Sequence, residues 1–316
     1  RGLGDVYKRQ SLADLVSNGW LPASVLRQSE GQKKAERRDR SSWSRARKHK
    51  LPLLEQAYDN FLQQSRRHRR ASTQFQAFRK RQSHWLDPWT DFAVRQAEPK
   101  SSDISAQPEY HAFVQWVLER QWQALRKYAH SLNIKLIGDL PIFCGADSAD
   151  VESNPELFRL DRSGQPQVLT GCPPDPFAVD GQLWGHPHYR WSAHRKDHFS
   201  WWTERVKVTL DRFDLVRIDH FIGFVRAYEV PGNAKNARNG KWGRTPGREL
   251  LMQLVKTVGQ LPFIAEDLGD VTPAVHRLRD EFELPGMRIL QWAFFDAEGG
   301  SNDLPHHHPK HCVVYP

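Results

Sequence analysis

Two acidic residues at the ends of short apolar runs are the strongest candidates for chemistry in this sequence. In "FDLVRIDHF" (213–221), Arg217 and Asp219 interrupt an apolar run that is typical of a buried strand, where a charge without a partner costs several kcal/mol. Alternation along a strand predicts Arg217 and Asp219 on one face and Ile218 and His220 on the other. A guanidinium beside Asp219 favours its carboxylate form, and an ionised carboxylate held in a pocket is suited to act as a nucleophile.

The second acidic residue, Glu266, ends the apolar run in "PFIAEDLG" (262–269). The 47 positions that separate it from Asp219 are enough for one loop, one helix and a return strand. Retaining glycoside chemistry needs two carboxyl groups at roughly 5–5.5 Å, one charged to attack the sugar and one protonated to serve the leaving oxygen. Spacing alone leaves open the alternative that these two residues belong to a structural salt bridge at a strand end.

The segment "TGCPPDPFAVDGQLWGHPHYRW" (170–191) adds side chains that suit a sugar. Its prolines predict a stiffened loop, in which Asp175 and Gln182 offer hydrogen bonds and Trp184 offers an apolar plate. Sugars present alternating C–H faces and hydroxyls, so this mixture matches them. Because Trp184 is one of twelve tryptophans, packing in the core remains an alternative for it.

The order of elements from residue 133 onward predicts repeated β-loop-α units. Strands are predicted at 134–143, 214–219, 262–269, 287–295 and 311–315, helices at 196–212, at 248–259 and from Thr272, and long loops at 144–195 and 231–247. Such units give parallel strands with right-handed crossovers, which fits either a (β/α)8 barrel or an open doubly wound sheet.

The polar residues favour the barrel. They lie at the carboxyl ends of successive predicted strands, where a barrel places its chemistry: Asp139, Arg217, Asp219, Glu266 and Asp267. No glycine-rich phosphate loop follows a predicted strand, which argues against a nucleotide-binding sheet. The predicted fold class is therefore α/β, a TIM barrel with an N-terminal helical subdomain.

Residues 11–130 are polar and helical in pattern, and we predict that they form this helical subdomain or insertion. The clearest helix covers 108–132, and its apolar stripe is expected to pack on a core: Phe113, Trp116, Val117, Leu125, Tyr128 and Leu132. The first ten residues, "RGLGDVYKRQ", do not join naturally to the residues after them, and we predict that residues 1–10 are a non-native segment.

Composition and charge exclude several classes of protein. With 39% apolar and 26% charged residues, the chain is typical of a globular protein. Its net charge of +9 is uneven: residues 1–130 hold 25 Lys and Arg against 13 Asp and Glu, whereas residues 131–316 hold 21 against 24. Basic runs such as "KKAERRDR" are more often solvated helix faces than nucleic-acid sites, so no nucleic-acid partner is predicted.

Cysteine usage and hydropathy indicate the compartment. Three cysteines without a CxxC spacing fit reduced thiols in the cytoplasm and no thiolate metal site. No apolar run approaches the ~18–20 residues that span a bilayer, so no membrane partner is predicted. The histidines of "LPHHHPKH" (His306, His307, His308 and His311) suggest zinc only as an alternative to a polar loop, and no metal site is predicted.

Five ordered motifs together resemble the 4-α-glucanotransferases, also called amylomaltases or disproportionating enzymes, of glycoside hydrolase family 77. The motifs are "IGDLPIFCGADSADV", "GCPPDPFAVDGQLWGHPHYRW", "FDLVRIDHFIGF", "IAEDLG" and "LPGMRILQWAF". The resemblance covers most of residues 108–315 and continues more weakly back to about residue 11.

The resemblance implies a function and a role for each matched residue. The family moves α-1,4-glucan segments between maltooligosaccharides, donor to acceptor, through a covalent glycosyl-enzyme and without a cofactor or metal. Asp219 matches its nucleophile, Glu266 its general acid/base and Arg217 the residue that orients the nucleophile. The matched positions that line the donor sugar's site are Asp139, Asp175, Gln182, Trp184 and His220.

The resemblance also implies that parts of the family's barrel lie outside this sequence. A third catalytic carboxylate, in a Thr-His-Asp-Asn-Asp stretch, is expected beyond Pro316, and the first barrel strand before residue 11. Residues 131–316 are therefore expected to form the middle strands of a partial barrel, inactive alone because missing strands leave unpaired edges. A hydrolase of the same superfamily and a non-catalytic glucan-binding relative remain as alternatives.

Overall fold

A computed structural model describes residues 9–27, 43–64, 69–96, 103–175, 178–291 and 311–315. The chain divides into two compact units, Arg1–Tyr128 and Ala129–Pro316. Residues 1–8, most of the segment predicted to be non-native, lie outside the described residues, as does the end of the strand predicted at 287–295. Within the described part of the chain, no helix combines the length and the apolar composition needed to cross a bilayer.

The first unit is built from helices. Those with described bounds are α1 (Leu12–Ser17), α2 (Trp43–Gln63), α3 (Arg69–Arg95) and α4 (Pro108–Ser131). Their core is a set of aromatic rings in which Trp20 meets Phe61 at 5.4 Å and Phe113 at 5.6 Å between centroids. Edge-to-face pairs at such distances contribute beyond the area that they bury.

The prediction that an apolar stripe on the helix over 108–132 packs on a core is correct for only half of its residues. Phe113, Trp116 and Val117 are buried as predicted, at 0–3% exposure. Leu125 and Tyr128 near the end of α4, and Leu132 just after it, are 51%, 64% and 52% exposed, so the prediction that they pack on a core was wrong. Helical periodicity identifies residues that share a face, but it does not show that another element covers that face.

The second unit contains the parallel sheet that positions the acidic residues. Its strands are β1 (Ile137–Pro141), β4 (Leu215–Asp219) and β7 (Phe263–Ala265), in the spatial order β1-β4-β7. Asp139 pairs with Arg217 across β1 and β4, and Ile218 pairs with Ala265 across β4 and β7. All three strands were predicted from sequence, with bounds longer than those observed.

A second sheet is antiparallel and was not predicted. Its strands, in the order β3-β2-β5-β6, are β2 (Val168–Cys172), β3 (Gln182–Pro187), β5 (Arg226–Pro231) and β6 (Lys241–Arg244). The predictions of a continuous loop over 144–195 and of another over 231–247 were therefore wrong. Gly171 explains part of the misreading: it lies in β2 where a Cβ would collide with the carbonyl oxygen of Gln182, so a strand-breaking residue type is required by close packing of β2 on β3.

The remaining elements complete an α/β unit. Strands β8 (Gly286–Ile289) and β9 (Cys312–Tyr315) pair in parallel. The helices are α5 (Ala149–Ser153), α6 (Trp191–Lys196), α7 (Ser200–Leu210), α8 (Gly247–Val258) and α9 (Pro273–Glu281). The single helix predicted at 196–212 is thus α7 with α6 before it, whereas α8 and the start of α9 after Thr272 follow the predictions. The buried core around these helices and the parallel sheet includes Trp202, Val216, Ile218 and Phe263.

Candidate active site

Strand β4 presents its charged residues on the face that alternation predicts. Val216 and Ile218 are buried at 0% and 1% exposure, while Arg217 and Asp219 are partly exposed. His220 does not continue the alternation, because its backbone is left-handed, with φ 55° and ψ 52°. The prediction that His220 shares a face with Ile218 was therefore wrong: the strand ends at Asp219, and His220 begins the short helix Phe221–Phe224.

Arg217 forms a bidentate ion pair with Asp139. Its Nε and Nη2 donate to the two carboxylate oxygens of Asp139 at 2.8 and 2.9 Å, and Nη2 also donates to Oδ1 of Asp219 at 2.8 Å. The side chains of Asp139 and Asp219 are 56% and 43% exposed, so these pairs add little to stability. The bidentate geometry instead fixes the direction in which Arg217 meets the Asp219 carboxylate.

Glu266 lies directly after β7, beside the end of β4. Its backbone N–H donates to the carbonyl oxygen of Ile218 at 3.1 Å, and its carbonyl oxygen accepts from the N–H of Phe221 at 3.1 Å. Its side-chain Oε2 accepts a hydrogen bond from the backbone N–H of His220 at 2.8 Å. Since Ile218 pairs with Ala265, Asp219 and Glu266 are the next residues along two adjacent parallel strands.

The two carboxyl groups lie in different electrostatic environments. Burial, helped by the negative charge of Asp219 and opposed by the His220 hydrogen bond, raises the pKa of Glu266 to about 7. Burial also raises the pKa of Asp219, but the charge and hydrogen bond of Arg217 act against that shift. Burial therefore favours the protonated form of Glu266 up to about pH 7, whereas Arg217 opposes the same effect at Asp219, a difference in the direction that an acid and a nucleophile require.

Asp267 follows Glu266 at the end of β7, but its carboxylate pairs with Arg279 and not with the residues around Asp219. The side chain is 0% exposed, is paired with Arg279, and accepts from the backbone N–H of Met287 at 2.8 Å. A Cβ on Gly286 would come within 2.6 Å of its Oδ2. Asp267 is therefore a structural carboxylate that ties β7 to α9 and β8, although it lies at the strand end where polar residues were expected to carry chemistry.

Aromatic and amide side chains lie near Asp219 and Glu266. The Trp184 ring meets the His220 ring edge-on at 4.8 Å, and Trp184 Nε1 donates to Oε1 of Gln182 at 3.1 Å. Burial lowers the pKa of His220 to about 4, so its imidazole is neutral at neutral pH, and its buried Nε2 has no hydrogen-bond partner in the described structure. Trp184 is only partly buried, which leaves surface on its ring.

Asp175 lies in the turn that follows β2, where its Oδ1 accepts from the backbone N–H of Ala178 at 2.6 Å. Sequence reasoning missed Cys172, the last residue of β2. Burial, together with the charges of Asp175 and Glu266, raises the pKa of its thiol to about 11, so the thiol lies within electrostatic reach of both. Its place in "GCPPD", three residues before Asp175, was the available signal.

Metal ligation has no support in the described residues, where no three His, Cys, Asp or Glu side chains are grouped to hold an ion. Of the four histidines considered for zinc, His306, His307 and His308 lie outside the described residues, and His311 is exposed.

Comparison with known proteins gives a consistent result. The sequence matches the family profile described as 4-alpha-glucanotransferase, glycoside hydrolase family 77, over residues 11–109 and 94–316. It is 41% identical over 291 residues to the 4-alpha-glucanotransferase of Thermus thermophilus, covering 84% of this chain and 57% of that protein. It is 38% identical over 330 residues to that of Synechocystis, covering 96% of this chain and 64% of that protein.

A solved structure extends the similarity to the fold. The amylomaltase from Streptococcus agalactiae, solved in complex with acarbose, superposes with a TM-score of 0.85 at 30% identity, covering 98% of this chain and 66% of that one. The chain thus spans about three-fifths of the length of the relatives it matches. On the family profile and these relatives, the chain belongs to glycoside hydrolase family 77, the 4-alpha-glucanotransferases.

Proposed function

We propose that this chain carries the catalytic pair of a 4-α-glucanotransferase, which moves α-1,4-glucan segments from a donor maltooligosaccharide to an acceptor. One observation carries the proposal: two carboxyl groups follow paired residues at the ends of adjacent parallel strands, Asp219 hydrogen-bonded to Arg217 and Glu266 with its pKa raised by burial to about 7. Retaining glycoside chemistry requires such a pair. Membership of the family supports the same reaction.

In the first half of the reaction, a carboxylate oxygen of Asp219 attacks the anomeric carbon of the donor. The bond to the glycosidic oxygen breaks, and Glu266 gives its proton to that oxygen, so the shortened donor leaves as an alcohol. In the second half, the ionised Glu266 takes the proton from an acceptor hydroxyl, whose oxygen displaces Asp219 from the sugar. Two displacements at one carbon retain the α configuration, and both carboxyl groups return to their starting states.

Arg217 positions the nucleophile. Because Asp139 holds the guanidinium by two hydrogen bonds, the third bond presents Asp219 Oδ1 in one orientation. That bond occupies Oδ1 and directs Oδ2 toward the substrate. Asp139 acts here through Arg217, and we also propose that its partly exposed carboxylate contacts the donor sugar.

The remaining predicted residues would hold the donor. Trp184 offers a ring face to the C–H surface of a glucose unit, and Gln182, through its amide group, offers hydrogen bonds to hydroxyls. The unpaired Nε2 of His220 is available to a sugar hydroxyl. Asp175, in the turn after β2, is proposed as a further hydroxyl partner.

We further propose that residues 131–316 form the middle part of a (β/α)8 barrel and that residues 11–130 form a separate helical subdomain. The parallel pairs β1-β4-β7 and β8-β9, with α7 between β1 and β4, α8 between β4 and β7, and α9 between β7 and β8, support the barrel. A cytoplasmic location is proposed because all three cysteines are free thiols.

Chromatography of the products from maltotriose tests the proposal, with the 316-residue chain and the natural protein that carries this sequence assayed side by side. Transfer yields glucose together with longer oligosaccharides, whereas hydrolysis yields only shorter sugars. The expected result is transfer by the natural protein, abolished by Asp219→Asn and retained by Asp161→Asn, a control at an exposed turn. Hydrolysis without longer products, or full turnover by Asp219→Asn, would contradict it.

A further inference from the structure

A cavity in the helical unit is lined by an unusual number of arginines. Its volume is about 930 Å³, and it lies among α3, α4 and the residue that follows α1. The charged and amide side chains of its lining include Arg69, Arg70, Arg81, Arg120, Asn18 and Glu119. The cavity lies wholly in the first unit and has no residue in common with the proposed active site.

Arg120 is fixed in this cavity before any ligand enters. Its guanidinium lies 5.1 Å from the ring centroid of Trp20 and 4.9 Å from that of Trp116, and its Nη2 donates to Oδ1 of Asn18 at 3.1 Å. Its Nη1 is buried and has no hydrogen-bond partner in the described structure. A buried donor on a charged group without an acceptor is costly, and among the described residues Arg120 has no carboxylate partner, so its charge in the cavity lining is not offset.

The other three arginines leave the cavity strongly positive. Among the described residues, Arg69, Arg70 and Arg81 form no ion pair, although Arg81 lies over the Phe78 ring. The single acidic lining residue, Glu119, accepts a hydrogen bond from Gln123. Four guanidinium groups therefore share one cavity with one carboxylate, and like charges so arranged repel each other unless an anion lies between them.

We propose that this cavity binds a small phosphorylated molecule, with its phosphate group held by the guanidiniums. The rigid donor fork of arginine matches phosphate oxygens in pairs, and a phosphate that carries about two charges offsets more of the excess than a carboxylate does. A volume of about 930 Å³ is that of a site for a small organic ligand. An extended nucleic acid would instead need a basic track, and it is the competing outcome of the test.

Calorimetric titration of the full chain with inorganic pyrophosphate tests the site, at ionic strength matched with sodium chloride. The expected result is saturable binding of one pyrophosphate per chain. Arg81→Gln and Arg69→Gln, at exposed positions, should each weaken that binding by about tenfold, as the loss of a charge-assisted hydrogen bond predicts. Arg47→Gln removes the same charge from an exposed position on α2 and should leave the affinity unchanged.

Arg120→Lys adds a geometric test, because it keeps the charge but loses the planar fork that Trp20 and Trp116 hold. Circular dichroism checks that each variant is folded. If Arg120→Lys does not fold, the affinity of Arg81→Gln for pyrophosphate tests the site in its place. Absence of saturable binding overturns the proposal. Equal weakening by Arg47→Gln and Arg81→Gln also overturns it, since the attraction would then be a general effect of charge. A single-stranded oligonucleotide that binds more tightly than pyrophosphate and competes with it would make the surface a nucleic-acid site instead.

Discussion

The backbone N–H of His220 donates a 2.8 Å hydrogen bond to Oε2 of Glu266, which ties the residue after Asp219 to the second acidic side chain. The bond forms because His220 turns out of β4 with a left-handed backbone instead of continuing the strand. It occupies one carboxyl oxygen of Glu266 and leaves the other for the proton. The backbone conformation at the end of β4 therefore positions the side chain of Glu266, which follows β7.

Glu266 and Asp267 are neighbours in sequence, and we predict that neutralising them affects stability to very different extents. Asp267→Asn removes a fully buried carboxylate paired with the largely buried Arg279 and should lower the free energy of unfolding by about 3–5 kcal/mol. Glu266→Gln replaces a carboxyl group whose protonated form is already favoured, so the change should be below about 1 kcal/mol. Urea unfolding followed by circular dichroism measures both, and a Glu266→Gln loss as large as that of Asp267→Asn would refute the separation of roles.

Arg217→Lys should reduce turnover far more than stability. Lysine keeps the charge but cannot hold Asp139 and Asp219 with a planar fork, so we expect kcat to fall by about 100-fold with a stability change below about 1 kcal/mol. Arg195→Lys is a matched control, because Arg195 makes the same two-pronged pair with Glu249 on exposed helices. Equal losses of turnover in the two variants would show that the Arg217 geometry has no special role.

His220 has a backbone role and a side-chain role that two substitutions separate. Asparagine tolerates φ near 55° better than alanine does, so His220→Asn should fold normally while His220→Ala loses about 1 kcal/mol. Both remove the ring that meets Trp184 and should raise KM for maltotriose. Thermal melts and initial rates distinguish the two effects; an unchanged KM in His220→Asn would exclude a sugar contact by the imidazole.

We predict that the pKa of Glu266 sets the alkaline limit of the proposed activity. Because the folded protein raises that pKa to about 7, the proton is present below pH 7 and lost above it, and kcat/KM should fall as pH rises through that value. Asp219→Asn removes a negative charge that raises the pKa, so the pKa of Glu266 should then decrease. Carbon-13 NMR of the labelled glutamate carboxyl group measures it directly, and an upward shift in Asp219→Asn would contradict the proximity of the two groups.

The sequence predicted the parallel strands well because their signal is local. Strand β4 shows alternating burial over five residues, with Val216 and Ile218 inside. The antiparallel sheet escaped prediction because its pairing is not local: Val168 pairs with Pro231, and both strands contain glycine or proline.

The sequence predicted which residue types form the candidate site, but it did not predict where every side chain points. Alternation identified the face shared by Arg217 and Asp219, yet it assigned His220 to the wrong environment because a single left-handed residue ends the pattern. It also could not predict the partner of Asp267, since Arg279 comes from a later helix.

Trapping the covalent intermediate tests the central claim most directly. Fluoride leaves without a proton, so Glu266→Gln should still react with α-maltosyl fluoride, but it lacks the base that activates the acceptor and should accumulate a glycosyl-enzyme. Mass spectrometry of the digested natural protein is expected to find a maltosyl group esterified to the peptide that contains Asp219. Its absence from that peptide, or its presence on another carboxylate, would contradict the account.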